Sequence, residues 1–290
     1  MTQPVQFRMN DGVTIVGDFW STESPFVVVL LHGGGQTRHS WKGAGRSLSA
    51  AGVATLAVDA RGHGDSGWSP NGDYTRARLA SDIIAITENV GLPVILVGAS
   101  MGGLAALLAS AELSKDQLGG LVLVDVVPRY EAAGGQRVFD FMGANADGFA
   151  TLEDAAQTIA AYLPHRNRGQ VSRGLEKNLR LKGDRWYWHW DPEFLASSQL
   201  PGGNATRNDV TLDRVARHLT VPTLLVRGVL SDVVTPAAAK SFQKVVPHAE
   251  IAELPLAAHT AAADSNDEFI TAVMDFVQRK VSTLPSNGLL

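Results

Sequence analysis

The chain has 290 residues, of which 45% are hydrophobic and 19% are charged, and its formal net charge is −4. This composition allows one sizeable domain with an insertion, and the lack of a long basic run excludes a nucleic-acid surface. The chain contains no cysteine, which excludes disulfides and thiolate chemistry. No run approaches the roughly 18 consecutive apolar residues of a membrane helix, and the amino terminus lacks the apolar segment of a signal peptide. We therefore expect a cytoplasmic protein that binds neither nucleic acid nor membrane.

Short apolar runs bounded by turn residues alternate with helical patterns along most of the chain. The predicted strands are, in chain order, 5–9, 14–20, 26–32, 53–60, 93–98, 119–127, 221–228 and 249–255. The predicted helices are 41–52, 76–91, 101–112, 211–219, 235–246 and 267–281. Because most of these strands are almost continuously apolar, they predict a mostly parallel central sheet that helices cover on both faces, an α/β fold.

One interval interrupts this alternation. Residues 129–207 contain helical patterns and an aromatic run at 185–190, but no buried strand pattern. We interpret this interval as an inserted, mainly helical cap. Residues 1–128 and 208–290 are then the core.

A single polar residue, Ser100, follows the predicted strand at 93–98 and precedes the helix at 101–112. With Gly98 and Gly102 it matches the pattern Gly-x-Ser-x-Gly. A sharp turn between strand and helix leaves no room for bulky neighbours, and it projects the hydroxyl out of the sheet. The helix also brings its positive amino-terminal end beside any anion that develops there. Ser100 is therefore the candidate nucleophile, and the alternative is a glycine-rich turn that happens to hold a serine.

A serine hydroxyl needs a base that takes its proton, and the chain has eight histidines. His259 lies directly after the last predicted strand, where the strand-end loops of a parallel sheet converge on one crevice. His218 and His248 precede their strands and belong at the opposite edge, while His165 and His189 fall in the cap. His259 is therefore the candidate base, with a solvent-exposed loop histidine as the alternative.

The imidazole needs a carboxylate that holds its tautomer and stabilises its charged form. Asp232 follows the predicted strand at 221–228 and precedes His259, which gives the chain order Ser, Asp, His. Asp125, in the strand at 119–127, is a rival at the same edge of the sheet. The sequence favours Asp232, with Asp125 ordering the loop where the cap begins. It predicts that Asp125→Asn keeps far more activity than Asp232→Asn.

The tetrahedral intermediate of acyl transfer carries an oxyanion that requires fixed N–H donors. We expect one donor from the backbone of Met101, at the start of the helix, and one from Gly34, in the glycine loop after the strand at 26–32. The alternative for this loop is a flexible turn. His32 is interpreted as a structural hydrogen-bonding residue beneath the loop. The segment 61–67 is likewise predicted to be structural, tied into local hydrogen bonds.

Aromatic residues are candidates for the substrate pocket. If the aromatic run is extended, Trp186, Trp188 and Trp190 share one face and favour an apolar or aromatic substrate. The alternative is that these rings anchor the cap to the core. Further candidates for the pocket wall are Trp41, Phe139, Phe141 and Met142.

Together these motifs resemble the α/β-hydrolase superfamily, within its esterase, non-haem haloperoxidase and epoxide-hydrolase-like group. The matching segments are LLHGGG for the oxyanion loop, DARGHGDS for the loop after the next strand, GASMGG for the nucleophile turn, SDVV for the acid and AAH for the base. The resemblance spans nearly the whole chain outside the cap. It implies the α/β-hydrolase fold and a Ser-His-Asp triad, with no metal or other cofactor. Epoxide hydrolases and haloalkane dehalogenases use an aspartate nucleophile, so Ser100 argues against both.

The leading interpretation is a serine hydrolase that cleaves a carboxylic ester or lactone of a small to medium apolar substrate through an acyl-enzyme. A C–C bond hydrolase of a diketone-type ring-cleavage product would use the same triad. It would also need a cap contact to a substrate carboxylate, from Arg166, Arg168 or Arg185. The third hypothesis is a ligand-binding receptor on a hydrolase scaffold, which has no use for a complete triad. The expected partner is a small-molecule substrate, and a homodimer remains open.

Overall fold

An eight-stranded, mostly parallel β-sheet forms the centre of the chain. The computed structural model describes residues 2–162, 175–199, 203, 209–258 and 266–281. Its strands are β1 Thr2–Arg8, β2 Thr14–Trp20, β3 Val27–Leu31, β4 Ala54–Val58, β5 Val94–Ala99, β6 Leu118–Val124, β7 Leu179–Lys182, β8 Arg185–Trp188, β9 Thr223–Gly228 and β10 Glu250–Leu254. The central sheet has the order β1-β2-β4-β3-β5-β6-β9-β10, and β7 pairs with β8 alone.

The strand pairing follows the apolar pattern of the sequence. Strand β2 runs antiparallel to β1 and β4, and the other neighbours in the central sheet are parallel. Strands β3, β4, β6 and β9 are buried along their whole length. Parallel strands that are covered on both faces have this burial. The predicted mostly parallel sheet is thus confirmed.

Helices cover both faces of the sheet. The described α-helices are α1 Lys42–Ala50, α2 Arg76–Val90, α3 Met101–Ala109, α4 Ala132–Gly143, α5 Leu152–Tyr162, α6 Pro192–Ser198, α7 Val210–Arg217, α8 Pro236–Val245 and α9 Asn266–Val281. Two short 3-10 helices are Arg38–Trp41 and Leu175–Asn178. Buried residues of α1 and α9 pack on one face, and those of α2, α3, α7 and α8 pack on the other. Within the described ranges, no helix combines the length and apolar character that crossing a membrane requires.

The elements of the predicted cap, called the cap below, lie between β6 and α7. They are α4, α5, the second 3-10 helix, the hairpin β7–β8 and α6. The hairpin is a difference from the mainly helical prediction, because the aromatic run extends into β8, where Trp188 pairs with Leu179. The rings of Trp188 and Trp190 stack with centroids 4.7 Å apart, and Trp188 also packs edge-on against Phe149. Trp188 therefore packs among other aromatic rings of the cap.

The cap is attached to the core loop that follows β4. The N–H of Asp191 donates to the Gly62 carbonyl at 2.9 Å. The N–H of Tyr74 donates to the Ser197 hydroxyl at 3.1 Å. These bonds join α6 and the residue before it to the segment between β4 and α2.

Candidate active site

Ser100 occupies the turn between β5 and α3. Its backbone has φ 46° and ψ −114°, a left-handed conformation that side chains rarely adopt. The Ser100 N–H donates to the Val124 carbonyl at 3.2 Å, and the Leu104 N–H donates to the Ser100 carbonyl at 3.0 Å. Strand β6 and the first turn of α3 thus hold the strained residue in place, as the pattern Gly-x-Ser-x-Gly predicts.

Glycines surround this turn because backbone atoms approach them closely. A Cβ on Gly98 would lie 2.5 Å from the Gly103 Cα atom. A Cβ on Gly102 would lie 2.6 Å from the Leu31 carbonyl oxygen. Both distances are shorter than real Cβ contacts, and the neighbouring atoms are backbone that cannot rotate away. The glycines therefore allow α3 to pack against the ends of β3 and β5.

The glycine loop after β3 lies beside Ser100. A Cβ on Gly33 would lie 3.4 Å from the Ser100 Cβ atom. The Gly33 N–H donates to Gln36 Oε1 at 3.1 Å, and the Gly35 N–H donates to His63 Nε2 at 3.2 Å. The N–H groups on either side of Gly34 are therefore engaged with side chains.

Two backbone donors remain available to an oxyanion. Among the described residues, the Gly34 N–H has no hydrogen-bond partner. Met101 is the first residue of α3, so its N–H has no acceptor within the helix. Gly34, Met101 and Ser100 line one cleft. The sequence names these two N–H groups as oxyanion donors, and that role stays a prediction.

The cleft beside Ser100 is apolar. Its wall includes Leu104, Val126, Val138, Phe139, Met142 and Phe194. Within the described part of the chain, no charged side chain lines it, and the polar side chains on its wall are those of Ser100 and Tyr130. The cleft therefore suits an apolar group that is joined to a reactive carbonyl. Phe139 and Met142 were both predicted as pocket residues.

The four other predicted pocket residues lie outside this cleft. Trp41 is buried on the opposite face of the sheet against Phe269, with ring centroids 5.6 Å apart. Phe141 stacks on Tyr162 at 4.1 Å. Trp186 and Trp188 belong to the cap interior, which agrees with the alternative that these rings anchor the cap.

Asp125 is buried at the carboxyl end of β6. Its side chain is fully shielded from solvent, and its backbone has a left-handed φ of 48°. One carboxylate oxygen accepts from the Gly228 N–H at 3.2 Å, and the other accepts from the Ser231 hydroxyl. Strand β9 and its following loop thus hold this carboxylate at the edge of the sheet where Ser100 lies.

Asp232 lies at the same edge but is engaged with the cap. Its carboxylate forms a two-pronged ion pair with Arg137 of α4, one bond of which measures 2.8 Å. The Asp232 side chain is 40% exposed. A Cβ on Gly134 would lie 2.5 Å from the Asp232 carbonyl oxygen, so α4 approaches this loop closely. Asp232 therefore joins the core to the first helix of the cap.

The predicted base, His259, lies outside the described residues. The described chain before it ends at Ala258, beyond β10. A Cβ on Gly228 would lie 2.3 Å from the Ala257 carbonyl oxygen and 2.6 Å from that of Ala258. The residue that precedes His259 therefore packs against Gly228, whose N–H binds Asp125.

Three buried histidines hold the glycine loop, and the sequence identified a structural role only for His32. Its Nδ1–H donates to the Gly33 carbonyl at 2.8 Å, and its Nε2 accepts from the Ala60 N–H at 2.9 Å. The rings of His32 and His63 lie 5.3 Å apart, and those of His63 and His189 lie 5.7 Å apart. Burial lowers the pKa of all three, to about 3 for His189. The rings are therefore neutral at ordinary pH.

The segment 61–67 is structural, as predicted. The Arg61 guanidinium makes two hydrogen bonds of 2.6 Å to Asp82 and one of 2.8 Å to Asp11. Asp65 accepts from Arg38 at 2.9 Å. Within the described residues, no group of three His, Asp or Glu side chains is arranged to hold a metal ion.

A serine at a strained strand–helix turn, with the N–H groups of Gly34 and Met101 beside it, forms a candidate active site on an α/β sheet. The chain belongs to the Alpha/beta hydrolase family, whose sequence profile matches residues 28–272. This membership confirms the predicted superfamily and fold.

The relatives of the chain include enzymes that act on esters. It is 33% identical over 180 residues to esterase Rv0045c of Mycobacterium tuberculosis, a match that covers 59% of this chain and 58% of that protein. It is 27% identical over 266 residues to the sn-1-specific diacylglycerol lipase ABHD11 of Mus musculus, covering 86% of this chain and 80% of that protein. The crystal structure of E-2-(acetamidomethylene)succinate hydrolase has the same fold, with a TM-score of 0.84 at 21% identity over 96% of this chain and 100% of that chain.

Proposed function

We propose that the protein is a serine hydrolase that cleaves carboxylic esters or lactones with a small to medium apolar acyl part, through an acyl-enzyme. The observation that carries this proposal is the strained turn that presents Ser100 at an apolar cleft, beside the N–H groups of Gly34 and Met101. The esterase and lipase relatives support the same reaction class.

In the proposed reaction, Ser100 Oγ attacks the ester carbonyl while His259 takes the hydroxyl proton. The oxyanion that forms accepts hydrogen bonds from the N–H groups of Gly34 and Met101, and the positive end of α3 adds to its stabilisation. Collapse of the intermediate expels the alcohol, which takes the proton from the imidazolium. A water molecule then attacks the acyl-enzyme with the same groups in the same roles, which releases the carboxylic acid.

The carboxylate that supports His259 is the point at which geometry and sequence favour different residues. Asp232, the sequence-favoured acid, is partly exposed and already bound to Arg137. Asp125 is buried, and it binds Gly228, against which Ala258 packs. We therefore propose Asp125 as the acid and keep Asp232 as the alternative.

The apolar cleft supports an acyl group without charge. A C–C hydrolase of a ring-cleavage product would need a cation near its substrate carboxylate. Of the three arginines considered for that contact, Arg166 and Arg168 lie outside the described residues. Arg185 donates to the carbonyls of Asp147 and Gly148, at 2.8 and 2.7 Å, away from the cleft. Ester hydrolysis is thus the better-supported reaction.

The test combines labelling with turnover. A fluorophosphonate probe is expected to label Ser100, and p-nitrophenyl acetate and butyrate are expected to be hydrolysed. Ser100→Ala should abolish both signals while the thermal unfolding midpoint stays close to that of the wild type. Labelling without turnover across acyl chain lengths would point to the receptor or C–C hydrolase hypothesis. Turnover that survives Ser100→Ala would exclude the proposed nucleophile.

A further inference from the structure

The hydrogen bonds of the glycine loop follow a regular order along the backbone. The peptide unit between Gly33 and Gly34 is held at its carbonyl by His32. The next unit, between Gly34 and Gly35, is held at its N–H by His63. The third unit is held at the Gly35 carbonyl, which accepts from His189 Nε2–H at 3.3 Å. Each of three successive peptide planes is therefore held by one histidine ring.

These hydrogen bonds determine the orientation of the Gly34 N–H, the proposed oxyanion donor. Because a trans peptide is planar, its C=O and N–H point in opposite directions, and the bond that holds one of them orients the other. The Gly34 N–H shares its peptide unit with the Gly33 carbonyl, so the His32 bond orients it. The His63 and His189 bonds hold the two peptide units that flank Gly35, and so they hold the dihedral angles of Gly35, where glycine would otherwise rotate freely. The His32 and His63 bonds hold the units that flank Gly34 in the same way.

The third histidine comes from the cap. His189 follows β8, and its Nδ1 accepts from the Gly64 N–H of the core at 2.8 Å. Trp190 and Met142 cover the other side of the loop, since a Cβ on Gly35 would lie 3.3 Å from one and 3.4 Å from the other. The loop is thus held between the core and the cap.

We propose that His189 is a positioning residue, through which the seated cap holds the Gly34 N–H in the orientation that binds the oxyanion. This inference rests on the proposed function. It adds that oxyanion binding depends on a cap side chain that does not line the cleft within its described wall. The neutral ring suits this role, because Nδ1 and Nε2 face a backbone donor and a backbone acceptor respectively. A second proton would set Nδ1–H against the Gly64 N–H.

Two substitutions separate the bonds of His189. Asparagine places an acceptor near the position of Nδ1 and loses the donor to Gly35, whereas glutamine places a donor near the position of Nε2. His189→Asn is expected to lower kcat for p-nitrophenyl butyrate by about 10-fold or more, with KM within about twofold. His189→Gln is expected to stay within about threefold of the wild type. Ser197→Ala is the matched control, because it removes a cap–core bond at Tyr74 without touching the glycine loop.

The rate at which the fluorophosphonate probe labels Ser100 is the second readout, since that reaction uses the oxyanion hole without requiring an ester substrate. It should fall in His189→Asn by a factor similar to that of kcat, at an unchanged fraction of folded protein. Equal losses of kcat and of labelling rate in His189→Asn, His189→Gln and Ser197→Ala would overturn the inference and leave His189 with only a structural role. Normal labelling and kcat in His189→Asn would also overturn it. If the wild type labels but hydrolyses no ester, the proposed function fails, and the labelling rates still decide the role of His189.

Discussion

The choice between two carboxylates can be decided with a pair of matched substitutions. Asp125→Asn and Asp232→Asn each replace one carboxylate oxygen by an amide nitrogen and leave the shape almost unchanged. Both residues follow parallel strands at the same edge of the sheet. The substitution at the carboxylate that supports the base is expected to lower kcat far more than the other, because an amide cannot stabilise the imidazolium that forms during the reaction.

For Asp125 the expected loss is large. In a serine triad, replacing the acid by its amide lowers kcat by about 10⁴-fold, which corresponds to about 5 kcal/mol of activation free energy. The buried carboxylate also accepts from Gly228 and Ser231, and the asparagine amide cannot reproduce both bonds with charge assistance. Bonds to a buried charge contribute about 1.5–3 kcal/mol each, so we also expect a lower free energy of unfolding.

For Asp232 the expected loss is small. Its side chain is 40% exposed and that of its partner Arg137 is 55% exposed, and ion pairs this accessible contribute about 0–1 kcal/mol. The substitution loosens one attachment of α4, so we expect a change of less than about threefold in kcat/KM.

The assay is hydrolysis of p-nitrophenyl butyrate by both variants, with urea unfolding in parallel. Arg137→Gln serves as a control, since it breaks the same ion pair from the cap side and should match Asp232→Asn. If Asp232→Asn proves nearly inactive while folded, and Asp125→Asn keeps most of its activity, our assignment of the acid is refuted. The sequence-favoured assignment would then stand.

Three further predictions test the turn, the cleft and the buried histidines. A Cβ on Gly102 would meet backbone at 2.6 Å, whereas a Cβ on Gly120 would have an ordinary contact at 3.4 Å. Gly102→Ala should therefore lower the free energy of unfolding by more than about 2 kcal/mol, and Gly120→Ala by less than about 1 kcal/mol. Equal losses of the two variants in urea unfolding would contradict the packing argument. Phe139→Ala enlarges the cleft and should shift preference from butyrate towards longer p-nitrophenyl esters, whereas Phe141→Ala on the same helix should not, as kcat/KM across chain lengths will show. The buried histidines have lowered pKa values and bind fewer protons when folded than when unfolded. Their stabilising contribution is therefore lost as the pH falls. For His189, whose folded pKa is about 3, the free energy of unfolding should drop by about 1.4 kcal/mol for each pH unit between about 6.5 and about 3. His189→Gln should reduce the slope over that range in urea unfolding, and an unchanged slope would argue against a neutral His189.

The fold and the nucleophile turn were predictable because their signals are local. Buried parallel strands need continuous apolar runs, and the chain has them at each predicted position. The strained backbone of Ser100 needs small neighbours within a few residues, so the requirement is written in the adjacent sequence. The N–H groups of Gly34 and Met101 were chosen as oxyanion donors by the same local logic, one at a strand end and one at a helix start, and their role stays a prediction.

The pocket wall was harder to predict because contacts between distant segments decide it, and the assignment of the acid stays a prediction. Two aspartates at equivalent strand ends look alike in sequence, and what separates them is Arg137, which reaches Asp232 from the cap. For the wall, the predicted residues Phe139 and Met142 are three residues apart and share a helix face, whereas the predicted Phe141 lies outside the cleft. Trp41 directly follows the glycine loop, but a 3-10 helix carries it to the opposite face of the sheet.

The proposed role of His189 could not be predicted from the sequence, because it also depends on contacts between distant segments. The same contacts mean that this cap can act only on a core that offers the matching backbone groups. The histidine is useful only where the loop after β4 offers the Gly64 N–H and the glycine loop offers the Gly35 carbonyl. The cap also supplies Phe139 and Met142 to the cleft wall. A shift of α4 that changed the acyl preference of the enzyme would therefore have to leave His189, at the end of β8, in contact with the glycine loop. Substrate preference and oxyanion geometry are then coupled through one inserted segment, and neither can be read from the core motifs alone.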